Sequence, residues 1–131
     1  MDKKLMAMGI SMLILKLLGT EDMYGYQMIK ELEERSENIF SLKEGTLYPV
    51  LHNLEWQGDI ESYEKVSGTG RKRKYYHLTQ SGRKTLAQKQ EEWSAFRGAV
   101  EKILKGPAYE SMEYESNISI LAKNGGIPYG I

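Results

Sequence analysis

Apolar residues crowd the stretch from Leu5 to Leu18 on nearly every side of a helical wheel, interrupted by Ser11 and Lys16. Such a helix is expected to be buried in a core or an interface, and Gly19-Thr20 ends it. A second helix is predicted from near Tyr24 to about Arg35, where Tyr26, Ile29 and Leu32 fall three apart along one side. Ser41-Leu42-Lys43-Glu44 reads as a capping box, with the Ser41 hydroxyl and the Glu44 carboxylate satisfying free amides at a helix start. The helix that follows turns Leu47, Val50, Leu51 and Leu54 inward and stops at Gly58. Pro49 inside it removes one hydrogen bond and crowds the carbonyl of Gly45. Either the helix kinks there, or its regular part begins later than Ser41.

Two short runs rich in Tyr, Val and Ile come next, Ile60 to Val66 and Arg73 to Leu78, separated by the loop residues Ser67-Gly68-Thr69-Gly70. In the second strand Tyr76 and Leu78 share the core face, while Tyr75 and His77 point outward. Thr79 is expected to cap a last helix from Gln80 to about Lys105, with Gly82 an early flaw in it. Leu86, Trp93 and Val100 recur every seven residues, and Phe96 and Ile103 form a second such row. Together they make a narrow seam suited to packing against another helix. Gly106-Pro107 stops the helix, and the tail from Ala108 to Ile131 has mixed polarity and no assignable role.

Three helices, a two-stranded hairpin and a long helix outline a mainly α fold with a small β-hairpin: a winged helix-turn-helix plus a long C-terminal dimerisation helix. The expected division is 1–79 for the DNA-binding domain, 80–106 for the dimerisation helix and 107–131 for the tail. The third helix would be the reader in the major groove and the Val66–Arg73 loop the wing.

Charge sharpens this picture. The net charge is zero, yet between Glu61 and Lys84 Lys65, Arg71, Lys72, Arg73, Lys74, Arg83 and Lys84 face only Glu61 and Glu64. Between Glu21 and Glu44, seven acids outweigh Lys30, Arg35 and Lys43. Such asymmetry suits one face built for an anionic partner, or a solvated run that solubilises a hairpin, and charge alone does not separate the two. Given the fold, Lys65, Arg71, Lys72, Arg73 and Lys74 are candidates to neutralise phosphates, a term that reads little sequence. On the reader helix Lys43, Thr46, Tyr48, His52 and Asn53 are the candidates to face DNA, an Asn pairing with adenine and a Thr methyl meeting a thymine methyl. For Thr46 a capping role, and for Tyr48 a packing role, stand beside the DNA reading.

Composition bounds the alternatives. The chain has 131 residues with 40% hydrophobic and 27% charged content, a globular profile for one compact domain. No apolar run reaches the roughly 18 residues of a membrane span. Asp2-Lys3-Lys4 ahead of Leu5 gives a passing likeness to a signal peptide, but no small-residue cleavage site follows and Lys16 interrupts the apolar stretch. There is no cysteine, hence no disulfide framework and no thiolate metal site, which fits a reducing cytosol. An enzyme, a metal or another cofactor finds little support. His52 and His77 are isolated, Glu91 and Glu92 are an ordinary solvated face, and Gly68-Thr69-Gly70 sits in a hairpin, not after a strand that opens a helix.

Three motifs in order resemble PadR-like regulators. They are Tyr24-Gly25-Tyr26, then Glu44-Gly45-Thr46-Leu47-Tyr48-Pro49-Val50-Leu51 followed by Leu54-Glu55, then Arg71-Lys72-Arg73-Lys74-Tyr75-Tyr76-His77-Leu78-Thr79 through Gly82. The likeness runs from Leu5 to Leu104, and the single C-terminal helix resembles the shorter members. It implies a cytoplasmic homodimer, usually a repressor on a roughly palindromic operator. Its last helix would pair across the dimer with the first helix packed against it, and many members respond to small aromatic or lipophilic compounds. Asn53 stands where the family often has arginine, and the tail from Ala108 has no counterpart. The dimer interface is expected at Leu86, Trp93, Phe96, Val100 and Ile103. There the ring of Trp93 either fills the interface beside Phe96 or stacks a planar aromatic effector. The competing function is a winged-helix protein-interaction module that has lost DNA binding.

Overall fold

The apolar first stretch forms α1, Lys3–Leu18, two residues longer than its hydrophobic run. A two-residue strand β1 (Met23–Tyr24) precedes α2 (Gly25–Arg35), and α3 covers Glu44–Trp56. The hairpin is β2 (Ile60–Val66) and β3 (Lys72–Leu78), and α4 runs Gln80–Lys105. The structure, a computed structural model, describes residues 3–106; the expected tail, 107–131, lies outside the described residues. The chain divides into two units after Gln90, within the length of α4.

In the first unit Ile10, Ile14, Leu15, Leu17 and Leu18 of α1 meet Met28, Ile29 and Leu32 of α2 and Leu47, Leu51 and Leu54 of α3 in one core. Met23, Ile60, Tyr76 and Leu78 close it from the sheet. The expected inward face of α3 is observed, with Val50 partly buried at its edge. The face expected of α2 is corrected in one place. Met28, not Tyr26, joins Ile29 and Leu32, and Tyr26 is 53% exposed with Lys30 Nζ 5.5 Å from its ring centroid. The buried stripe of α2 runs through Gly25, Met28, Ile29 and Leu32, and Tyr26 falls beside it on the exposed side.

The expected start of α3 is revised as well. No capping box forms at Ser41: Lys43 is the N-cap of α3, in extended conformation and without a side-chain cap. The carbonyl of Lys43 instead accepts the amides of Thr46 and Leu47 at 3.0 Å each. Leu42 is buried in the core, which holds the chain extended past Ser41 and leaves Glu44 as the first helical residue, where its charge still suits the helix dipole. Starting this late, the helix carries Pro49 within its second turn and leaves the Gly45 carbonyl on the exposed side.

The sheet is three-stranded, not a bare hairpin. All pairs are antiparallel in the order β1-β3-β2, with Met23 opposite Tyr76 and Tyr24 opposite Tyr75. A two-residue strand carries too little pattern to be read from sequence. Along β2–β3 the register runs from Ile60 opposite Leu78 to Val66 opposite Lys72. Tyr76 and Leu78 are buried as expected, with Tyr75 and His77 half-buried on the other face.

The corner between sheet and α4 shows why Gly82 is there. The Thr79 hydroxyl donates to the Gly58 carbonyl at 2.7 Å and accepts the Gly82 amide at 3.0 Å, the expected cap. Buried Asp59 accepts the hydroxyls of Ser81 and Thr85 at 3.0 Å each, and its carbonyl accepts the Thr79 amide at 3.1 Å. A Cβ on Gly82 would collide with the Asp59 carbonyl oxygen and the Leu78 side chain. The glycine is therefore a close approach, not a flaw. We expect Gly82→Ala to destabilise the protein by about 1–3 kcal/mol through overpacking. Gly98→Ala, where an added Cβ meets nothing within 4 Å, should instead stabilise by up to ~1 kcal/mol through helix propensity. Urea unfolding of both variants checks this; equal effects of the same sign would refute the packing account.

Candidate nucleic-acid interface

The pairing of Tyr24 with Tyr75 places the head of α2 directly against the root of the wing. The Tyr24 ring meets Tyr75 edge-on at 5.5 Å, and Tyr75 stacks on Tyr63 at 5.8 Å. This aromatic floor carries cations. The Arg73 guanidinium lies 4.4 Å from the Tyr24 ring centroid, and Lys65 Nζ lies 5.6 Å from that of Tyr75. On the opposite face Lys74 Nζ lies 5.5 Å from the Tyr76 ring. Each such contact contributes about 0.5–1 kcal/mol when exposed, enough to narrow the rotamers of otherwise solvated chains. Lys72 pairs with Glu64 at 2.6 Å, and that hydrogen bond to a carboxylate raises its pKa. Arg71, at the end of the wing loop, makes no ion pair among the described residues.

These elements enclose a cleft of about 490 Å³ lined by Tyr24, Gly25, Tyr26, Glu44, Tyr48 and the run Arg71 to Lys74. One wall is the start of α3, brought close because Gly25 lacks a side chain. A Cβ there would stand 2.5 Å from the Tyr48 hydroxyl. Tyr48 thus packs on Gly25, as one of its two sequence readings expected, and still exposes 43% of itself. Thr46 is exposed and caps nothing, since α3 has no side-chain cap. Four basic residues, Arg71 to Lys74, and one acid, Glu44, line this cleft, and with Lys72 already paired to Glu64 the balance of charge still suits an anionic partner.

The remaining reader candidates go elsewhere. His52 and Asn53 are exposed but line a second groove, of about 600 Å³, with Ser11, Pro49, Val50 and Trp56. Lys43 is exposed at the N-cap, and Lys65 stands on the wing.

In the second unit Trp93, Phe96 and Ile103 are 47%, 56% and 81% exposed, and the Trp93 and Phe96 rings lie 6.3 Å apart. Val100 is half-buried. Leu86 belongs to the first unit, where it packs against the core.

The sequence pattern of the "Transcriptional regulator PadR-like family" matches residues 14–88, more than half of the chain. The chain belongs to the PadR-like family. It is therefore a transcriptional regulator of winged-helix fold. A crystal structure of a PadR-like transcriptional regulator from Bacillus cereus is similar with a TM-score of 0.71 and 28% identity, over 80% of this chain and 100% of that one. A transcriptional regulator from Clostridium thermocellum is similar with a TM-score of 0.71 and 32% identity, over 78% of this chain and 96% of the other. The negative transcriptional regulator PadR of Bacillus subtilis is 33% identical over 73 residues, which cover 56% of this chain but only 40% of that protein. None of the helices among the described residues is long and apolar enough to cross a membrane.

In this PadR-like chain the wing is also fastened by groups that sequence reasoning passed over. Asp22, just before β1, accepts the Tyr63 hydroxyl at 2.6 Å on one oxygen. On the other it accepts a ring N–H from His77 Nδ1 at 2.8 Å. Burial alone would raise the Asp22 pKa, but the bonds from Tyr63 and His77 and the charges of His77 and Lys65 outweigh it and hold it below 3.8. Its partner moves the other way: the bond to a carboxylate pushes the Tyr63 hydroxyl up from 10.0 to about 12. Tyr63 and His77 lie 41 and 55 positions from Asp22 in sequence, so no local pattern announces the cluster. The cleft residues Tyr24, Tyr26 and Glu44 were likewise missed as site residues, though two of the three family motifs contain them.

The raised Tyr63 pKa means that its bond supports the fold fully below pH 10.0 and is lost as pH rises through about 12. The lowered Asp22 pKa means that its share is present above 3.8 and lost as pH falls through the depressed value. In Asp22→Asn the Tyr63 hydroxyl should titrate nearer 10.0, followed by the NMR signal of its ring carbon. An unchanged Tyr63 titration would show that the clip does not form in solution.

Proposed function

We propose that the chain is a homodimeric, sequence-specific DNA-binding repressor that works in the cytoplasm and is released by an effector. Residues 1–79 form the DNA-binding domain and residues 80–106 the dimerisation helix, with 107–131 an appended tail. The observation that supports this best is the cleft in which Tyr48 of α3 and Arg71, Lys72, Arg73 and Lys74 of the wing converge. A reader helix contacts base edges with its N-terminal residues, so Lys43, Thr46 and Tyr48 are its reading edge. The wing cations and Lys65 neutralise the phosphates beside it. His52 and Asn53, half a helix further on, contact DNA only at the rim. The repressor sense draws on the likeness to the negative regulator of Bacillus subtilis.

Dimerisation draws on the stripe of Trp93, Phe96, Val100 and Ile103, with Leu86 entering at its edge. An apolar stripe of that kind on a soluble helix needs a cover. Trp93 borders the effector site, where a planar aromatic compound stacks on its ring.

Replacing Arg71 and Arg73 together by alanine should weaken binding to all DNA sequences about equally. It should also reduce the salt slope by about 2, one for each phosphate that is no longer neutralised. Thr46→Ala should instead relax base preference with little change in slope. Unchanged affinity of the double variant at several salt concentrations would take the wing out of the mechanism and favour a protein-interaction module. In a Trp56→Phe background, planar aromatic compounds that release DNA should quench Trp93 fluorescence. Release without quenching would place the effector elsewhere.

A further inference from the structure

A carboxylate is out of place in a cleft that meets phosphates, and Glu44 is the one acid among the residues lining it. It is exposed and opens α3. It makes no ion pair among the described residues, although Arg71, Lys72, Arg73 and Lys74 line the same cleft. Toward a nucleic-acid backbone its charge is repulsive and opposes what the wing cations supply. Its service to the helix dipole does not demand that charge. A neutral serine or threonine at the N-cap would hold the helix start as well, and Lys43 stands there instead.

The chemistry of base edges gives the carboxylate a use. Glu44 stands four residues before Tyr48, so both project from one side of α3 and line the cleft, while Leu47 and Leu51 turn to the core. Between them Gly45 has open space where a Cβ would stand, so nothing in the subunit crowds the approach to this first turn. In the major groove the bases offer hydrogen-bond donors at two places, N4 of cytosine and N6 of adenine. Adenine sets the acceptor N7 beside its donor, guanine shows the acceptors O6 and N7, and thymine shows O4. A carboxylate accepts hydrogen bonds and donates none. It therefore ranks cytosine first and adenine second, and it is repelled by guanine and thymine.

We propose that Glu44 is a specificity-determining residue: its carboxylate accepts a hydrogen bond from cytosine N4 at one position of each half-site and rejects guanine and thymine there. This rests on the DNA-reading function above and adds an acidic base-reading group to Lys43, Thr46 and Tyr48. The wing cations bind any duplex, since phosphates carry no sequence. Glu44 weakens that binding at every wrong site and regains a hydrogen bond at the right one, so the same charge lowers non-specific affinity and widens the ratio between the two.

The test compares the full-length wild type with Glu44→Gln and, as a control, Glu64→Gln, which removes the wing acid paired to Lys72. Each protein selects sites from random duplex DNA, and affinities for single-base variants of the recovered site are then measured at one salt concentration. Both changes are on exposed side chains, so all three proteins should melt together. The wild type should prefer cytosine about 10-fold over guanine or thymine at one position of each half-site. In Glu44→Gln the preference at that position should pass to adenine, which an amide pairs at N6 and N7, while other positions keep their order. Glu64→Gln should tighten binding to all sequences alike and move no preference. If Glu44→Gln also does no more than that, or leaves binding as it was, Glu44 reads no base and the proposal falls while the DNA-reading function stands. A shift at a position where the wild type prefers another base overturns the cytosine assignment. A wild type that enriches no sequence overturns the DNA-reading function, and this proposal with it.

Discussion

Two residues of backbone pairing set the geometry on which the interface depends. Met23 and Tyr24 join the sheet at β3, and α2 begins at the next residue, so the wing and the helix pair cannot move independently without breaking that ladder. The Asp22 bonds to Tyr63 and His77 fasten the same junction from the side chains. Without β1 the hairpin would still pack on the core through Ile60, Tyr76 and Leu78, but it would lose the backbone ladder that ties it to the head of α2. With it, the cations of β3 and the first turns of α3 face one cleft.

Within that frame local chemistry decides which charges are available. Glu64 ties up Lys72 and Asp22 feels the charge of Lys65, whereas Arg73 rests on the Tyr24 ring, which leaves its charge unneutralised. Arginine stacked on an aromatic ring keeps its hydrogen-bonding edge free for phosphate. Tyrosines on the wing thus shape the electrostatics as much as the basic residues do. This is how a chain of zero net charge presents a cationic cleft: the acids of α2 and its neighbours lie elsewhere along the sequence, and only Glu44 enters it.

Long periodic elements were legible in the sequence, and α4 from Gln80 to Lys105 with its Thr79 cap matched throughout. So did β2 and the buried face of α3, because Leu47, Leu51 and Leu54 recur at helical spacing. What escaped depends on contacts between distant residues. The capping box at Ser41 failed because burial of Leu42 outweighed a local motif. Gly82 looked like a defect because its reason, the Asp59 carbonyl, is 23 positions away in sequence. Of the reader candidates, those of the first turns were placed by helix order alone. That His52 and Asn53 share a groove with Ser11 depends on where α1 packs, which no pattern in α3 contains. The exposure of Trp56 itself was within reach, since extending the leucine stripe along α3 leaves position 56 on the outer face.

A regulator that reads DNA as a twofold pair should select its own site. The direct measurement is recovery of bound sequences from random duplex DNA by the purified full-length protein. The account predicts enrichment of an inverted repeat whose half-site centres lie about one helical turn apart, or a multiple of it. Failure to enrich any sequence at low ionic strength, or enrichment of a lone half-site by a protein that sediments as a monomer, would contradict it.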